Sequence, residues 1–124
     1  MTFSEEALPI LTAYVVVTVV TAAANIYAAT VDFTRPQWLL ANMAKARVPQ
    51  SWLLSLGALK AAGALGLLVG IGVPLLGLAA SVGLVLFFIG AIITHFRARF
   101  WNIAPPLAFL VLAVGSLVLR VASS

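Results

Sequence analysis

"SLGALKAAGALGLLVG", from Ser55 to Gly70, is a run of Leu, Ala and Gly broken by one lysine, Lys60. On a soluble helix that lysine would mark the wet face. The rest of the chain removes this explanation: 64% of its residues are apolar, 8% are charged, and the mean hydropathy is +1.18. Such a composition belongs to an integral membrane protein, where a cation inside a span needs a reason of its own.

The 124 residues leave room for a single membrane domain and no separate soluble module. There is no cysteine, which excludes disulfides, thiolate nucleophiles, iron–sulfur clusters and cysteine zinc sites. His95 is the one histidine, so a bis-histidine haem or a di-iron centre cannot be built from one copy, and no metal site is expected. The net charge of +4 would suggest nucleic acid in a soluble protein. Here the cations flank apolar runs and read as topology signals, with no nucleic-acid partner.

A transmembrane helix needs about 20 mostly apolar residues. Four stretches qualify, over 8–29, 52–70, 74–94 and 103–119, and imply an all-α, antiparallel four-helix bundle. The first resembles a signal peptide at Ala22, Ala23 and Ala24, but it opens with Glu5 and Glu6 instead of a cation, so it reads as a permanent span. Pro36 and Pro49 bracket the first loop, and "GIGVP" joins the second and third spans tightly enough to make them antiparallel neighbours. Asn102 is placed to cap a fourth helix whose first turn accepts Pro105.

Arg35, Lys45, Arg47, Arg97 and Arg99 fall on the first and third loops, against Arg120 on the other side. The positive-inside rule then puts both termini outside the cytoplasm, in a bacterial plasma membrane. This one-sided bias opposes a dual topology. The first loop reads in two ways. It is either a short interfacial helix beginning at Pro36, with Trp38, Leu39 and Met43 toward lipid and Lys45 and Arg47 at headgroups, or a snorkelling loop anchored by Trp38 and Trp52.

A lysine near a helix centre costs about 2.5 to 3.5 kcal/mol of insertion energy. The seven leucines and one valine of the second span return roughly 2.4 to 4.8 kcal/mol on the same scale, so this helix depends on its neighbours. Gly57, Lys60 and Ala64 share one face, and Ala62, Gly66 and Gly70 form a small-residue ladder on another, which permits close packing on both sides.

In the first span Tyr14, Thr18, Thr21 and Asn25 recur at helical spacing, with Asp32 in phase beyond the span's end. Polar groups in lipid need internal partners, so this face should turn inward. Counted from the span ends, Thr21 and Lys60 are expected at similar depth, with Asn25 in reach of the ammonium. Gly83, Phe87, Gly90 and Thr94 mark the inner face of the third span, which ends in "THFRARFWN". Thr21, Asn25, Lys60, Thr94 and His95 are thus candidates to line one polar cavity, with Arg97 at its mouth as an anion-binding candidate. Most also have a plainer role: Lys60 snorkelling to headgroups, Thr21 and Asn25 joining helices, His95 at the interface, Arg97, like Arg99, setting topology. No catalytic residue is assigned.

From "GALKAAGALGLLVG" through "AIITHFRAR" to about Val114, the chain resembles the DoxX-like family of small four-helix membrane proteins. The lysine within the Gly and Ala run and the "AIITHFRAR" ending are the most specific parts of the likeness. The resemblance implies a multi-pass membrane protein, and the family takes its name from a small subunit associated with quinone-linked sulfur oxidation in archaea. It implies no transferable catalytic set. The expected function is an accessory or ligand-binding subunit of a membrane redox system, holding a lipid or quinone between helices and docking a redox partner protein. Alternatives are a small anion or solute transporter or channel, and a membrane enzyme acting on an apolar substrate with Lys60 as base and His95 relaying protons. Export of cations is disfavoured because Glu5, Glu6 and Asp32 lie outside the four stretches. The glycine ladders leave a further packing face for homo-oligomerisation.

Overall fold

The computed structural model describes residues 7–123, which form five helices: α1 (Ala7–Thr34), α2 (Gln37–Lys45), α3 (Leu53–Val69), α4 (Pro74–Arg97) and α5 (Ala104–Ala122). A 3₁₀ turn, Gln50–Trp52, leads into α3. Helices α1, α4 and α5, and α3 with its lead-in turn, are each long and apolar enough to cross a membrane. Glu5 and Glu6, which carry the reading against a signal peptide, lie outside the described residues.

The expected boundaries shift in two places that matter. Helix α1 runs past Ala29, through Asp32 to Thr34, because backbone hydrogen bonding continues where hydropathy falls; it stops at Arg35 and Pro36. Asn102 does not cap α5. The N-cap is Ile103 with no side-chain bond, and prolines at the start of α5 suit a first turn whose N–H groups have no intrahelical acceptor.

Helix α1 packs on α3 and α5, and α4 packs on α3 and α5, so the four long helices form a ring of antiparallel neighbours. One end, here the basic end, carries α2, the α4–α5 connection, the cations Arg35, Lys45, Arg47, Arg97 and Arg99, and three exposed tryptophans, Trp38, Trp52 and Trp101. The other, the turn end, carries the start of α1, the end of α5 and the α3–α4 turn. The first loop is helical, but Met43 is buried, not turned outward, while Trp38 is exposed.

The inward face of α1 is Tyr14, Thr18, Thr21, Ala22, Asn25, Ala29 and Asp32. Its hydroxyls join helices. Thr18 Oγ1 and Ser116 Oγ are 2.7 Å apart, and Thr21 Oγ1 donates to the Val17 carbonyl at 2.6 Å and reaches that of Leu112 at 3.3 Å. Ala22, Ala64, Leu67, Leu84, Phe88 and Ala113 make the apolar core. At the turn end Arg120 is buried, its guanidinium 4.3 Å from the Tyr14 ring centroid, and it donates to the Gly70 carbonyl at the end of α3.

Helices α3 and α4 are held apart by side chains of graded size. At the turn end Gly70 meets Gly77 backbone to backbone, so a Cβ on Gly70 would fall inside the Gly77 main chain. Next, Gly66 faces the Ala80 Cβ and Gly63 faces the Leu84 side chain. Toward the basic end the facing pair becomes Lys60 and Phe87, the ammonium 5.7 Å from the ring centroid. The packing ladder is therefore Gly63, Gly66 and Gly70, not Ala62, which is exposed because it lies about 100° around the helix from Gly63. Gly57, on the α1 side, lies under the Phe33 ring. Both neighbours thus approach α3 over small residues.

Candidate functional site

Where α3 and α4 spread apart, a cavity of about 500 Å³ opens at the basic end. Helix α2 and the segment leading into α3 form one wall through Trp38, Met43, Ala46, Val48 and Trp52; Leu53, Leu56 and Leu59 of α3 extend it. Opposite stand Phe87 and Phe88 of α4, with Phe100, Pro106 and Phe109. Trp38, Trp52 and Leu59 are more than half exposed, so the cavity is open along that edge. The walls are mainly aromatic and aliphatic, in contrast to the polar cavity expected from the sequence. The polar stripe of α1 is spent on packing against α5, and the cavity lies where Lys60 and Phe87 replace the glycine contacts between α3 and α4.

The polar groups in the wall are few. Lys60 Nζ donates to Asp32 Oδ2 at 2.9 Å, with side-chain exposures of 15% and 5%. This is the only ion pair among the described residues. Extension of α1 past Ala29 creates it: Asp32 belongs to a buried face inside the bundle, correcting its placement outside the spans. The argument that set cation transport aside therefore loses one support, although this carboxylate is already engaged by an ammonium. Lys60 is thus bonded to a carboxylate and not to the hydroxyl and amide groups expected around it. Its charge is offset by a carboxylate within the low-dielectric bundle, which also offsets part of the lysine's insertion cost.

The candidate residues separate into three groups. Lys60, Thr94 and His95 line the cavity. Thr94 Oγ1 donates to the Gly90 carbonyl at 2.8 Å; His95 Nδ1 lies 2.8 Å from the Ala91 carbonyl, and its ring stacks on Phe100 at 5.2 Å. Thr21 and Asn25 are fully buried outside the cavity. Asn25 Nδ2 donates to the Thr21 carbonyl at 2.9 Å, and its Oδ1 has no partner among the described residues. The depth comparison fails at the ammonium, which is bonded to Asp32, eleven residues along α1 from Thr21, or about 16 Å at the helical rise. Arg97 is exposed and lines no part of the cavity.

Asp32 was legible as a member of the Thr18, Thr21 and Asn25 stripe; a hydropathy boundary concealed its partner. The aromatic wall had a weaker trace in Phe87, and Asn102 in "THFRARFWN" was legible at the expected cytoplasmic mouth, whereas Asn42, which also lines the cavity, carried no usable signal. Among the described residues no group of His, Cys, Asp or Glu is arranged to hold a metal ion.

Comparison with curated proteins and with solved structures gives no significant match. The profile of the DoxX-like family matches residues 16–116, a span that includes most of α1, both members of the ion pair and every wall of the cavity. With four membrane-spanning helices and a match over most of its length, the chain is an integral membrane protein that belongs to the DoxX-like family.

Proposed function

We propose that the protein is a ligand-binding, accessory membrane subunit whose cavity holds an amphipathic molecule of the lipid or quinone class. The supporting observation is the Lys60–Asp32 pair set in the wall of an otherwise apolar, aromatic-rich cavity. Binding cavities commonly combine apolar walls with a few placed polar groups that orient the ligand. Because Asp32 offsets the charge of Lys60, the pair presents hydrogen-bonding atoms without a net charge. That favours a neutral polar head, such as a carbonyl or hydroxyl, with an apolar body against the aromatic rings. An anion passing Lys60 would also have to pass Asp32, so the arrangement speaks against an anion channel.

In this reading the basic end faces the cytoplasm of a bacterial cell and both termini lie outside, following the cation count. A redox partner would dock at the basic end, beside the cavity opening.

Native mass spectrometry of the detergent-solubilised protein, paired with a cavity-filling variant, tests the reading. Gly90 lines the cavity and a Cβ there meets nothing within 4 Å, so Gly90→Leu adds bulk without a first-atom clash. The wild type should retain a small molecule of lipid or quinone mass, and Gly90→Leu should lose most of it while unfolding at a similar temperature. A wild type carrying only detergent, or equal retention in the variant, would remove the basis of the proposal.

A further inference from the structure

Three helices at the basic end, α1, α2 and α4, are followed by an arginine in the left-handed backbone region: Arg35 at φ 54°, Arg47 at φ 58° and Arg99 at φ 54°. After α2 and α4 the closure is the paired Schellman pattern. Val48 N–H bonds to the Met43 carbonyl and Arg47 N–H to that of Ala44; Phe100 N–H bonds to the His95 carbonyl and Arg99 N–H to that of Phe96. Glycine is the usual occupant of this position because it has no Cβ to strain. Yet none of the glycines among the described residues has a positive φ, and these three arginines are the only other residues there that do.

Topology alone does not account for this choice. The positive-inside rule counts cations near span ends whatever their backbone conformation, and Lys45 and Arg97 supply charge from within helices at no such cost. The left-handed arginines place cations one residue past α1 and two residues past α2 and α4, the latter two next to the cavity. Ala46 and Val48 flank Arg47, Phe100 follows Arg99, and all three neighbours line the cavity. All three arginines are exposed, and none forms an ion pair among the described residues. Arg35 spends one N–H group on the Gln50 carbonyl at 3.1 Å and keeps the rest of its fork. The exposed Trp38, Trp52 and Trp101 mark the same end as the interfacial level.

We infer that Arg35, Arg47 and Arg99 form a collar that binds the phosphate headgroups of anionic phospholipids in the adjoining leaflet. The charge is complementary, and the guanidinium fork matches phosphate oxygens in a way a lysine ammonium does not. The inference is independent of what fills the cavity.

Glycine substitution provides the test, since it removes the cation while suiting the backbone. Wild type, the triple variant Arg35→Gly/Arg47→Gly/Arg99→Gly and the corresponding triple lysine variant are purified and titrated with phosphatidylglycerol or phosphatidylcholine in mixed micelles. Thermal midpoints and native mass spectra are recorded. The wild type should prefer phosphatidylglycerol, less so at high salt. Each glycine should reduce that preference about fivefold, or roughly a hundredfold for all three, while the lipid-free midpoint stays at or above the wild type. The lysine variant should retain part of the preference. Equal response of the wild type to both lipids, an undiminished preference in the triple glycine variant, or the same stabilisation by inorganic phosphate alone would each overturn the inference.

Discussion

The two ends of the α3–α4 pair start from the same sequence style, small residues at helical spacing, and reach opposite outcomes. At the turn end Gly70 and Gly77 let the backbones touch, and the bundle is sealed by the Thr18–Ser116 bond and by Arg120 over Tyr14. At the basic end Lys60 faces Phe87, and about 500 Å³ lies open between α3, α4, α2 and the start of α5. The lesson is that the cavity is set by a size gradient along one interface. Gly with Gly, Gly with Ala and Gly with Leu precede Lys with Phe, so the pair is hinged at its tightest contact and widens like a wedge.

The largest expected effect comes from spoiling the hinge. In Gly70→Leu the new side chain must displace the Gly77 backbone, which cannot yield as a flexible side chain would. A destabilisation at or above the upper end of the usual 1 to 3 kcal/mol for overpacking is expected. It would appear as a sharp drop in thermal midpoint or loss of monodisperse protein on size-exclusion chromatography. Near-normal stability would show that the helices do not meet there and that the wedge has another origin.

Next in size is the ion pair, which sharpens the contrast because it sits at the open end yet is well buried. Removing one partner by Lys60→Met or Asp32→Asn leaves the other charge without compensation, at roughly 3 kcal/mol or more. The double variant should recover much of this loss, and thermal unfolding of all four proteins forms the double-mutant cycle. Additive losses would mean that each side chain is solvated independently through the open edge. The cycle thus also measures how dry the cavity floor is.

How much of this was legible follows from what each signal measures. Hydropathy found the spans because bilayer thickness imposes a length on apolar runs, and the small faces of Gly57 and Gly66 announced two close neighbours for α3. The same hydropathy hid the ion pair: it ended the first span at Ala29 where the helix continues to Asp32, and that error misplaced the register of Lys60 against Thr21. Spacing along one helix gives a face, but cross-helix register depends on where both helices end. Arg120 illustrates the same limit. It follows Ala113 and Ser116 on one buried face of α5, yet its charge alone suggested an exposed topology marker. The cavity was not legible as a volume, since nothing local to a helix records its divergence from the next.

The smallest expected effect concerns the glycine of α4 that the wedge does not use. Gly83 is exposed, and a Cβ added there meets nothing within 4 Å, so it contributes neither to the hinge nor to the cavity wall. If its only role is as a lipid-facing helix residue, Gly83→Ala should raise stability by about 0.5 to 1 kcal/mol, because alanine loses less backbone freedom on helix formation. If instead a second copy packs on this face, the added methyl would hold the two helices apart, and the bulkier Gly83→Leu would do so more strongly. Stability and oligomeric mass then move in different directions. A small gain in thermal midpoint with unchanged mass by light scattering identifies a free face, whereas a fall in mass identifies Gly83 as the contact between copies. The second result would extend the rule seen at Gly70 and Gly77, close approach through missing side chains, from within the bundle to its outside.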